Sequence, residues 1–237
     1  MRVAIVTGAS RGLGAALAEV YRRRGWAVTG FARTASAGGE VRALDLADTD
    51  AAAGVFDEVL SGLAAGPCDE VVAIGNAALL GPVGPIESAT HEAIRAHFDV
   101  NVVSAVLFAR AVVSAFEPHD CPKTFVNVSS GAAVRCHVGW SLYCTSKAAL
   151  ESYVRALALE QAGQPNPVRA ISVNPGVMDT AMQAEVRETS LEEFPDRERY
   201  RRLQREGMLA HPQEVAEKIA DLVASRPEAG VTYAFGR

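Results

Sequence analysis

A tyrosine and a lysine stand four residues apart in the stretch GWSLYCTSKAAL, as Tyr143 and Lys147. At this spacing both side chains lie on one face of a helix, with Cβ atoms roughly 5–6 Å apart. A phenol is a weak acid with a pKa of about 10, and a neighbouring ammonium favours its ionised form. Such a pair can give a proton to a carbonyl oxygen. For an arbitrary Tyr-x-x-x-Lys a plain surface pair is commoner, so the rest of the chain must decide.

A glycine-rich loop lies near the start of the chain, in the stretch TGASRGLG from 7 to 14. Gly8, Gly12 and Gly14 follow an apolar run and precede an amphipathic pattern, which predicts a strand, a tight turn and a helix. Glycine lets a pyrophosphate approach the backbone, and free N–H groups at a helix N-terminus favour an anion. The spacing is Gly-x-x-x-Gly-x-Gly, not the commoner Gly-x-Gly-x-x-Gly. This loop predicts a dinucleotide site.

Short β-branched runs alternate with longer helical patterns along the 237 residues. We predict six strands (3–8, 26–32, 41–46, 69–76, 123–130 and 168–176) and helices at 13–25, 47–65, 88–116 and 141–162. Buried strands separated by helices predict an α/β fold with a doubly wound, Rossmann-like parallel sheet of about seven strands and helices on both faces. No repeat or linker interrupts the pattern, so residues 1–237 are predicted to form a single domain.

The segment 178–211 departs from this alternation because it is helical and heavily charged directly after a strand. Such a charge run is commonly a solvated face. Its position at the carboxyl edge of the sheet also suits a substrate loop or lid over a ligand crevice. Both interpretations stay open at this point.

Composition excludes several classes of partner. A net charge of −5 with no long single-sign block argues against nucleic acid or an anionic membrane as the main partner. The four cysteines lie far apart without zinc spacing, so we expect free thiols and no metal site. The N-terminal apolar run is too short for a signal sequence. We expect no run that approaches the ~20 apolar residues of a membrane span. We therefore expect a cytoplasmic protein.

These motifs together resemble the short-chain dehydrogenase/reductase family over nearly the whole chain. Asn101 in DVNVVS is similar to the family's asparagine of the central helix, and Ser130 precedes Tyr143 by the family's 13 residues. The stretch NPGVMDT resembles its Pro-Gly turn beside the nicotinamide, and LDLAD with Asp45 its adenine-side aspartate. GNAA is similar to its Asn-Asn-Ala-Gly turn, but departs from it at Gly75 and Ala78.

The resemblance implies a role for each residue of the catalytic set, Asn101, Ser130, Tyr143 and Lys147. Tyr143 would be the proton donor in reduction. Lys147 would hold the nicotinamide ribose and, with the oxidised nicotinamide, lower the pKa of the phenol. Ser130 would hydrogen-bond the carbonyl oxygen, although the neighbouring Ser129 stays an alternative. Asn101 would bend the central helix and anchor a water that relays protons to Lys147.

The cofactor is predicted to be NADP(H). NAD sites usually place an acid at the end of the second strand, but GFARTAS has none before Glu40. Arg33, at the family's phosphate-binding position, and Arg11 in the glycine loop suit a 2′-phosphate. The predicted cofactor contacts are Gly8, Ser10, Arg11, Gly12, Leu13, Gly14, Arg33, Asp45, Leu46, Asn76, Tyr143, Lys147, Pro175, Gly176 and Val177.

Three stretches, GWSLYCTSKAAL, NPGVMDTAMQAEVRETS and LQREGMLAHPQEVAEKI, resemble the sepiapterin reductase branch and more closely its benzil reductase-like members. Those enzymes reduce one carbonyl of a vicinal diketone with NADPH. The tail GVTYAFGR places Ala234 where sepiapterin reductase has a pterin-anchoring aspartate. Trp140, Met178 and Met182, with Val177, are predicted to form an apolar substrate wall.

Two other functions stay open. A pterin reductase or another NADP-dependent alcohol dehydrogenase is one alternative, and a non-catalytic NADPH-sensing protein is the other. Sensors of this family commonly lose the tyrosine or the lysine, whereas both are present here. The helices 88–116 and 141–162 correspond to the family's usual dimer surface, so we expect a homodimer or homotetramer.

Overall fold

A computed structural model describes residues 1–35 and 39–235. Ser36, in the predicted loop after the second strand, and Gly236 and Arg237 of the tail lie outside the described residues. Within the described part, seven parallel strands form one sheet in the order β3-β2-β1-β4-β5-β6-β7. The strands are β1 (Arg2–Thr7), β2 (Ala27–Ala32), β3 (Val41–Ala43), β4 (Glu70–Gly75), β5 (Lys123–Val128), β6 (Val168–Asn174) and β7 (Thr232–Ala234).

Eight α-helices connect and flank these strands in the described part of the chain. They are α1 (Gly12–Arg23), α2 (Thr49–Ala64), α3 (His91–Phe98), α4 (Ser104–Phe116), α5 (Ser141–Gln161), α6 (Ala181–Glu188), α7 (Arg197–Arg205) and α8 (Pro212–Ala224). A π-helical turn, Asp99–Val103, joins α3 to α4 without a break. Single 3₁₀ turns occur at Ile86–Ser88 and Gly131–Ala133.

The sheet is buried on both faces because successive side chains of a strand point in opposite directions. In β1, Val3 and Ile5 pack in the layer that contains α2, α4 and α5. Ala4 and Val6 pack in the opposite layer with α1 and α8. The predicted doubly wound sheet with helices on both faces is therefore confirmed.

The two edge strands differ most from the prediction. The predicted strand 41–46 is paired only over Val41–Ala43, and its remainder turns away although Leu44 and Leu46 stay buried. β7 completes the expected seven strands but had no predicted position. Its three residues pair with β6, and Thr232 and Ala234 are exposed. A short, half-exposed edge strand has little apolar pattern to reveal it.

The continuous helical run His91–Phe116 is long and apolar enough to cross a membrane, judged by length and composition alone. The expectation that no such run exists was therefore wrong. One such helix is weak evidence, because the core helix of a folded domain meets the same test. Here Phe108, Val112 and Phe116 are buried against the sheet and α2, which accounts for their apolar character.

The chain order of the sheet creates a crevice at one position. From β1 the chain continues outward to β2 and β3, whereas β4 starts the other half on the opposite side of β1. The loops after β1 and β4 therefore diverge at their carboxyl ends. In open α/β sheets ligands bind at this switch point.

Candidate active site

The glycine loop after β1 is shaped by close backbone contacts. Gly8 and Gly12 have φ angles of 69° and 55°, in the left-handed region that favours glycine. A Cβ on Gly14 would lie 2.1 Å from the Gly8 carbonyl oxygen, so a larger residue there would force the loop off the helix. The Asn76 Nδ2 donates to the Thr7 carbonyl at 3.0 Å and ties this loop to the end of β4.

The N-terminus of α1 is open to an anion. Arg11 occupies its N-cap, and no side chain there bonds a helix N–H group. Asp48, Thr90 and Thr180 do cap α2, α3 and α6 with their side chains. The uncapped N–H groups of α1 lie behind a glycine-rich loop. This arrangement fits the pyrophosphate of a dinucleotide.

A cavity of about 700 Å³ runs from this loop across the switch point to the loop before α5. Its size is typical of small-molecule sites. The predicted residues that line it are Gly8, Ser10, Arg11, Gly12, Leu13, Arg33, Asp45, Leu46, Asn76, Ser130, Trp140, Tyr143, Lys147, Pro175, Gly176, Val177, Met178 and Met182. Gly14 and Asn101 lie behind the wall: Gly14 packs under the loop, and Asn101 is buried.

Asn101 lies in the π-helical turn and holds the loop that follows β4. Its Oδ1 accepts from the Leu79 N–H at 2.7 Å, and its Nδ2 donates to the Leu79 carbonyl at 2.8 Å. A π turn is a common feature of functional sites in helices. The structure thus places Asn101 at the irregularity expected in the central helix. Its role with a relay water stays a prediction.

His97, which the sequence interpretation missed, is fully buried beside Asn101. Its Nδ1 lies 2.7 Å from the Gly81 carbonyl, and its Nε2 lies 3.1 Å from the Asn101 Nδ2. Burial is the main cause that lowers the pKa of His97, and the nearby Lys147 charge acts in the same direction. His97 therefore serves as a neutral support for the asparagine. A histidine four residues before an asparagine was the only available signal.

The two adjacent serines after β5 have different partners. The Ser129 hydroxyl donates to the buried Glu151 carboxylate at 2.5 Å. The Ser130 hydroxyl accepts from the Ala132 N–H at 3.2 Å, and Ser130 lines the cavity together with Tyr143. The bond to Glu151 occupies Ser129 and favours Ser130 as the serine that serves the tyrosine, and which serine contacts a substrate stays a prediction.

Tyr143 and Lys147 both lie in the first turns of α5 and are almost completely buried. The Lys147 Nζ donates to the Val128 carbonyl at 2.8 Å and lies 5.7 Å from the centre of the Tyr143 ring. Burial raises the pKa of Tyr143 to about 12, against the opposing effect of the Ser130 hydrogen bond. The direction is opposite to the lowering that was expected from Lys147 together with an oxidised nicotinamide, because desolvation of the phenolate is the largest influence on this pKa.

Lys147 itself is the more strongly perturbed group. Burial lowers its pKa to about 8, and the negative charge of Glu151, one helical turn further along α5, opposes this. Glu151 was not predicted as part of the site. A carboxylate four residues after the lysine is the signal that was available in the sequence.

On the side that was predicted to take a substrate, the cavity is lined by the rings of Trp140 and Tyr200, and Phe194 packs behind them. Trp140 stacks on Phe194 with ring centres 4.5 Å apart and an interplanar angle of 9°. Tyr200 lies 5.6 Å from the Trp140 ring, and Tyr143 also lies 5.6 Å from it on another side. Phe194 and Tyr200 were missed because they lie inside the charged segment 178–211. Isolated aromatics in a charged run were the signal for a buried face.

The segment 178–211 lies over the cavity and contributes α6 and α7. At its base, Asp179 N–H donates to the Ala210 carbonyl at 3.1 Å. At its tip, Glu193 packs closely on Gly139 (φ 83°) of the loop before α5. A Cβ on Gly139 would lie 2.1 Å from the Glu193 carbonyl oxygen, so this contact requires a glycine. His137 and Asp196 add a 2.7 Å contact. The segment therefore covers the crevice and also exposes charged side chains to solvent. Its movement as a lid stays a prediction.

The end of the cavity beside β2 and β3, where the adenosine was predicted to bind, carries charged residues at its rim. Arg11 and Arg33 are both exposed there. Asp45 follows β3, and its Oδ1 accepts from the Ala47 N–H at 3.0 Å. Ala234, by contrast, is exposed at the end of β7 and does not line the cavity. The alanine at that position therefore does not by itself shape the substrate wall.

Comparison with known proteins agrees with this geometry. A family model described as short chain dehydrogenase matches residues 2–191. The chain is 33% identical over 237 residues to benzil reductase ((S)-benzoin forming) of Bacillus subtilis, with 98% of each chain covered. It is 31% identical over 234 residues to the enzyme of the same name from Bacillus cereus, with 94% of each covered. Sepiapterin reductase of Meriones unguiculatus is 36% identical, over 63% of this chain and 56% of its own.

Solved structures share the fold at similar levels of identity. The KRED1-Pglu enzyme superimposes with a TM-score of 0.82 and 32% identity, covering 98% of this chain and all of its own. A putative NAD(P) dependent gluconate 5-dehydrogenase from Beutenbergia cavernae, with bound NADP, superimposes with a TM-score of 0.81 and 28% identity, covering 98% and 94%.

Proposed function

This chain belongs to the short-chain dehydrogenase family, and from that premise we propose that it uses NADPH to reduce one carbonyl of a vicinal diketone to a hydroxyketone. Family membership makes it an oxidoreductase that binds a nicotinamide dinucleotide. The diketone substrate, the preference for NADPH and the roles of individual residues are our proposals. Benzil is the representative substrate.

The proposed chemistry needs an acid beside one carbonyl oxygen. When bound, the reduced nicotinamide supplies a hydride to the carbonyl carbon. Tyr143 gives its proton to the oxygen, and Ser130 donates a hydrogen bond to the same oxygen as it gains negative charge. Because burial raises the pKa of Tyr143 to about 12, the phenol keeps its proton at neutral pH. That is the form which a reductase needs at the start of each turnover.

Lys147 is proposed to stabilise the phenolate that remains after the proton has moved. Its cation lies over the tyrosine ring, and its Nζ is fixed by the Val128 carbonyl. An ammonium has three donors, so the others remain for the ribose hydroxyls of the dinucleotide. Asn101 holds the Leu79 backbone at the edge of the same cavity and is a positioning residue in this proposal.

The preference for NADPH rests on the charges at the adenosine end. Arg11 and Arg33 line the cavity there, and the described residues from Phe31 to Ala35 contain no carboxylate. Two guanidinium groups suit a 2′-phosphate, whereas a ribose 2′-hydroxyl gains little from them. The related Beutenbergia cavernae structure with bound NADP supports the same choice.

The stacked pair Trp140 and Phe194, beside Tyr143, is the observation that carries the substrate class. Flat aromatic walls favour a flat apolar substrate over a polar one. Val177 and Met182 pack against the same cluster. A diketone flanked by phenyl rings therefore fits this wall better than a pterin. The alternative, a pterin or other carbonyl substrate, is supported by the partial similarity to sepiapterin reductase.

The decisive first experiment is a carbonyl reduction assay with the purified protein. Benzil and NADPH are incubated with the enzyme, the loss of reduced nicotinamide absorbance is followed, and the product is identified by chromatography. We expect stoichiometric formation of benzoin. Binding of NADPH without turnover of any carbonyl in a dicarbonyl panel would instead support the sensing protein.

We further propose that the chain forms a homodimer or homotetramer through α4 and α5. Val103 in the turn before α4 and Leu159 near the end of α5 are large apolar side chains that stay exposed, at 38% and 79%. Their burial between subunits would remove apolar surface from water. Light scattering at micromolar concentration tests this, and a monomeric mass would contradict it. The cytoplasmic location stays an expectation from sequence.

A further inference from the structure

A buried amide on α6 has no assigned function. Gln183 is 4% exposed and lines the cavity from the segment that covers it. Within the described residues, neither its Nε2 nor its Oε1 has a hydrogen-bond partner. Its backbone N–H does have one, the Thr180 hydroxyl that caps the helix. A buried amide left unpaired is unfavourable, and such groups are rare in folded proteins.

A second orphaned donor lies in the same wall. The Trp140 Nε1 is buried and also has no partner among the described residues, although its ring is fixed by the stack on Phe194. Gln183, Trp140 and Tyr143 all line one continuous cavity, together with Val186 and Tyr200. The cavity that the Ser130 hydroxyl lines is therefore also lined by residues with buried polar groups that lack a partner within the described part of the chain.

We propose that Gln183 is a specificity-determining residue whose amide donates a hydrogen bond to the carbonyl oxygen that is not reduced. This inference rests on the proposed diketone reductase function. Ser130 and Tyr143 bind the oxygen of the reacting carbonyl, so the second oxygen of a vicinal diketone needs another donor. The Gln183 Nε2–H groups provide it. A monoketone has no such oxygen and leaves the buried amide unpaired, which selects against it.

The test compares two substrates that differ only at the second oxygen. Benzil has two adjacent carbonyls between its phenyl rings, and deoxybenzoin has a methylene in place of one of them. The kcat/KM of each is measured for the unmodified enzyme and for Gln183→Met, which keeps the length of the side chain without its amide. The matched control is Gln204→Met on α7, an exposed glutamine of the same segment outside the cavity.

We expect Gln183→Met to lower kcat/KM for benzil by about tenfold or more, and to change deoxybenzoin much less. The ratio of the two constants should therefore fall, and Gln204→Met should leave it unchanged. Where deoxybenzoin turns over too slowly, its inhibition constant against benzil is used in its place. A thermal melt and an NADPH titration of each variant separate a folding defect from the loss of recognition.

Three outcomes overturn the inference. Equal losses for both substrates, or no loss for benzil, would show that Gln183 does not recognise the second oxygen, while diketone reduction by the unmodified enzyme still stands. If Gln183→Met does not fold, Gln183→Leu and Gln183→Glu replace it under the same criterion. No turnover of benzil by the unmodified enzyme would contradict the proposed function, and this inference with it.

Discussion

The cavity presents backbone on its cofactor side and side chains on its substrate side. Around the glycine loop, the shape is set by main-chain atoms, as in the approach of Gly14 to the Gly8 carbonyl. Across the cavity, the wall includes Trp140 and Tyr200, and the buried Phe194 packs behind both rings. A backbone cradle binds the part that all dinucleotides share. A wall of side chains can be changed by substitution while the cradle stays the same.

The two sides also differ in where their residues come from. The cofactor side is built mostly from short loops directly after β1, β2, β3 and β4. The substrate side combines the loop before α5 with the segment 178–211, which lie far apart in the chain. Tyr143 stands at the boundary between them. Substitutions on either side should therefore affect different kinetic constants.

The largest expected effect is that of Tyr143→Phe. Removal of the proton donor should lower kcat by roughly 10²–10⁴-fold, since this is the usual contribution of a positioned acid. NADPH binding, measured by nucleotide fluorescence titration, should stay close to that of the unmodified protein. Tyr153→Phe, on the same helix outside the cavity, is the matched control. Substantial turnover by Tyr143→Phe would remove the tyrosine from its proposed role.

A methyl group in the cradle should mainly affect the cofactor side. Gly14→Ala puts a Cβ into the Gly8 carbonyl, so we expect weaker NADPH binding and a loss of about 1–3 kcal/mol in unfolding free energy. Gly54→Ala in α2 is the control, because nothing lies within 4 Å of its added Cβ. That substitution should stabilise the protein by about 0.5–1 kcal/mol. Denaturant unfolding measures the unfolding free energy of both variants. Equal changes of the same sign would contradict the close packing of the backbone around Gly14.

The arginines at the adenosine end should discriminate between cofactors. Replacing Arg11 and Arg33 together by Ala should raise KM for NADPH by roughly tenfold or more, because two charge-assisted hydrogen bonds are lost. KM for NADH should change far less. Initial rates with each cofactor at saturating benzil give this comparison. Equal increases for the two cofactors would mean that these arginines do not recognise a 2′-phosphate.

The smallest expected effect is a change in pH dependence. Lys147, with its pKa lowered by burial to about 8, is cationic below that pH and neutral above it. The groups that face it are Glu151, Tyr143 and His97. Since the Glu151 charge raises the pKa of Lys147, Glu151→Gln should move the alkaline decline of kcat/KM to lower pH. Glu151→Asp keeps the charge and should move it less.

The same profile provides the contradicting result. An alkaline decline that stays in place in Glu151→Gln would show that Lys147 is not the group that titrates there. Ser129→Ala adds a finer comparison, because Ser129 donates to the Glu151 carboxylate without touching Lys147. Ser129→Ala should move the alkaline decline of kcat/KM in the same direction as Glu151→Gln, but by less.

The features that could be predicted from the sequence also differ between the cofactor side and the substrate side of the cavity. The glycine loop, the Tyr143–Lys147 pair and the alternation of strands and helices are short patterns of neighbouring residues, so the sequence alone reveals each of them. Phe194, Tyr200 and Gln183 belong to a charged segment where local pattern indicates solvent exposure. Phe194 and Tyr200 pack on Trp140, which lies far from them in the sequence and contacts them only in the folded chain.

The difference between the expected and the observed direction of the Tyr143 pKa has a related cause. The sequence places a cation one helical turn away, which favours the phenolate, but it does not give the burial of either group. In the structure both are buried, and desolvation is the largest influence on each pKa. Ser129 and Ser130 likewise could not be separated until Glu151 was seen to accept a hydrogen bond from Ser129.

The measurement that tests the proposed function most directly is the comparison of kcat/KM for benzil and for sepiapterin, with NADPH at saturation. The aromatic wall around Trp140 and Phe194 predicts a clear preference for benzil, with weak or no reduction of sepiapterin. A clear preference for sepiapterin would contradict that account of the substrate side, while the cofactor side would remain as described.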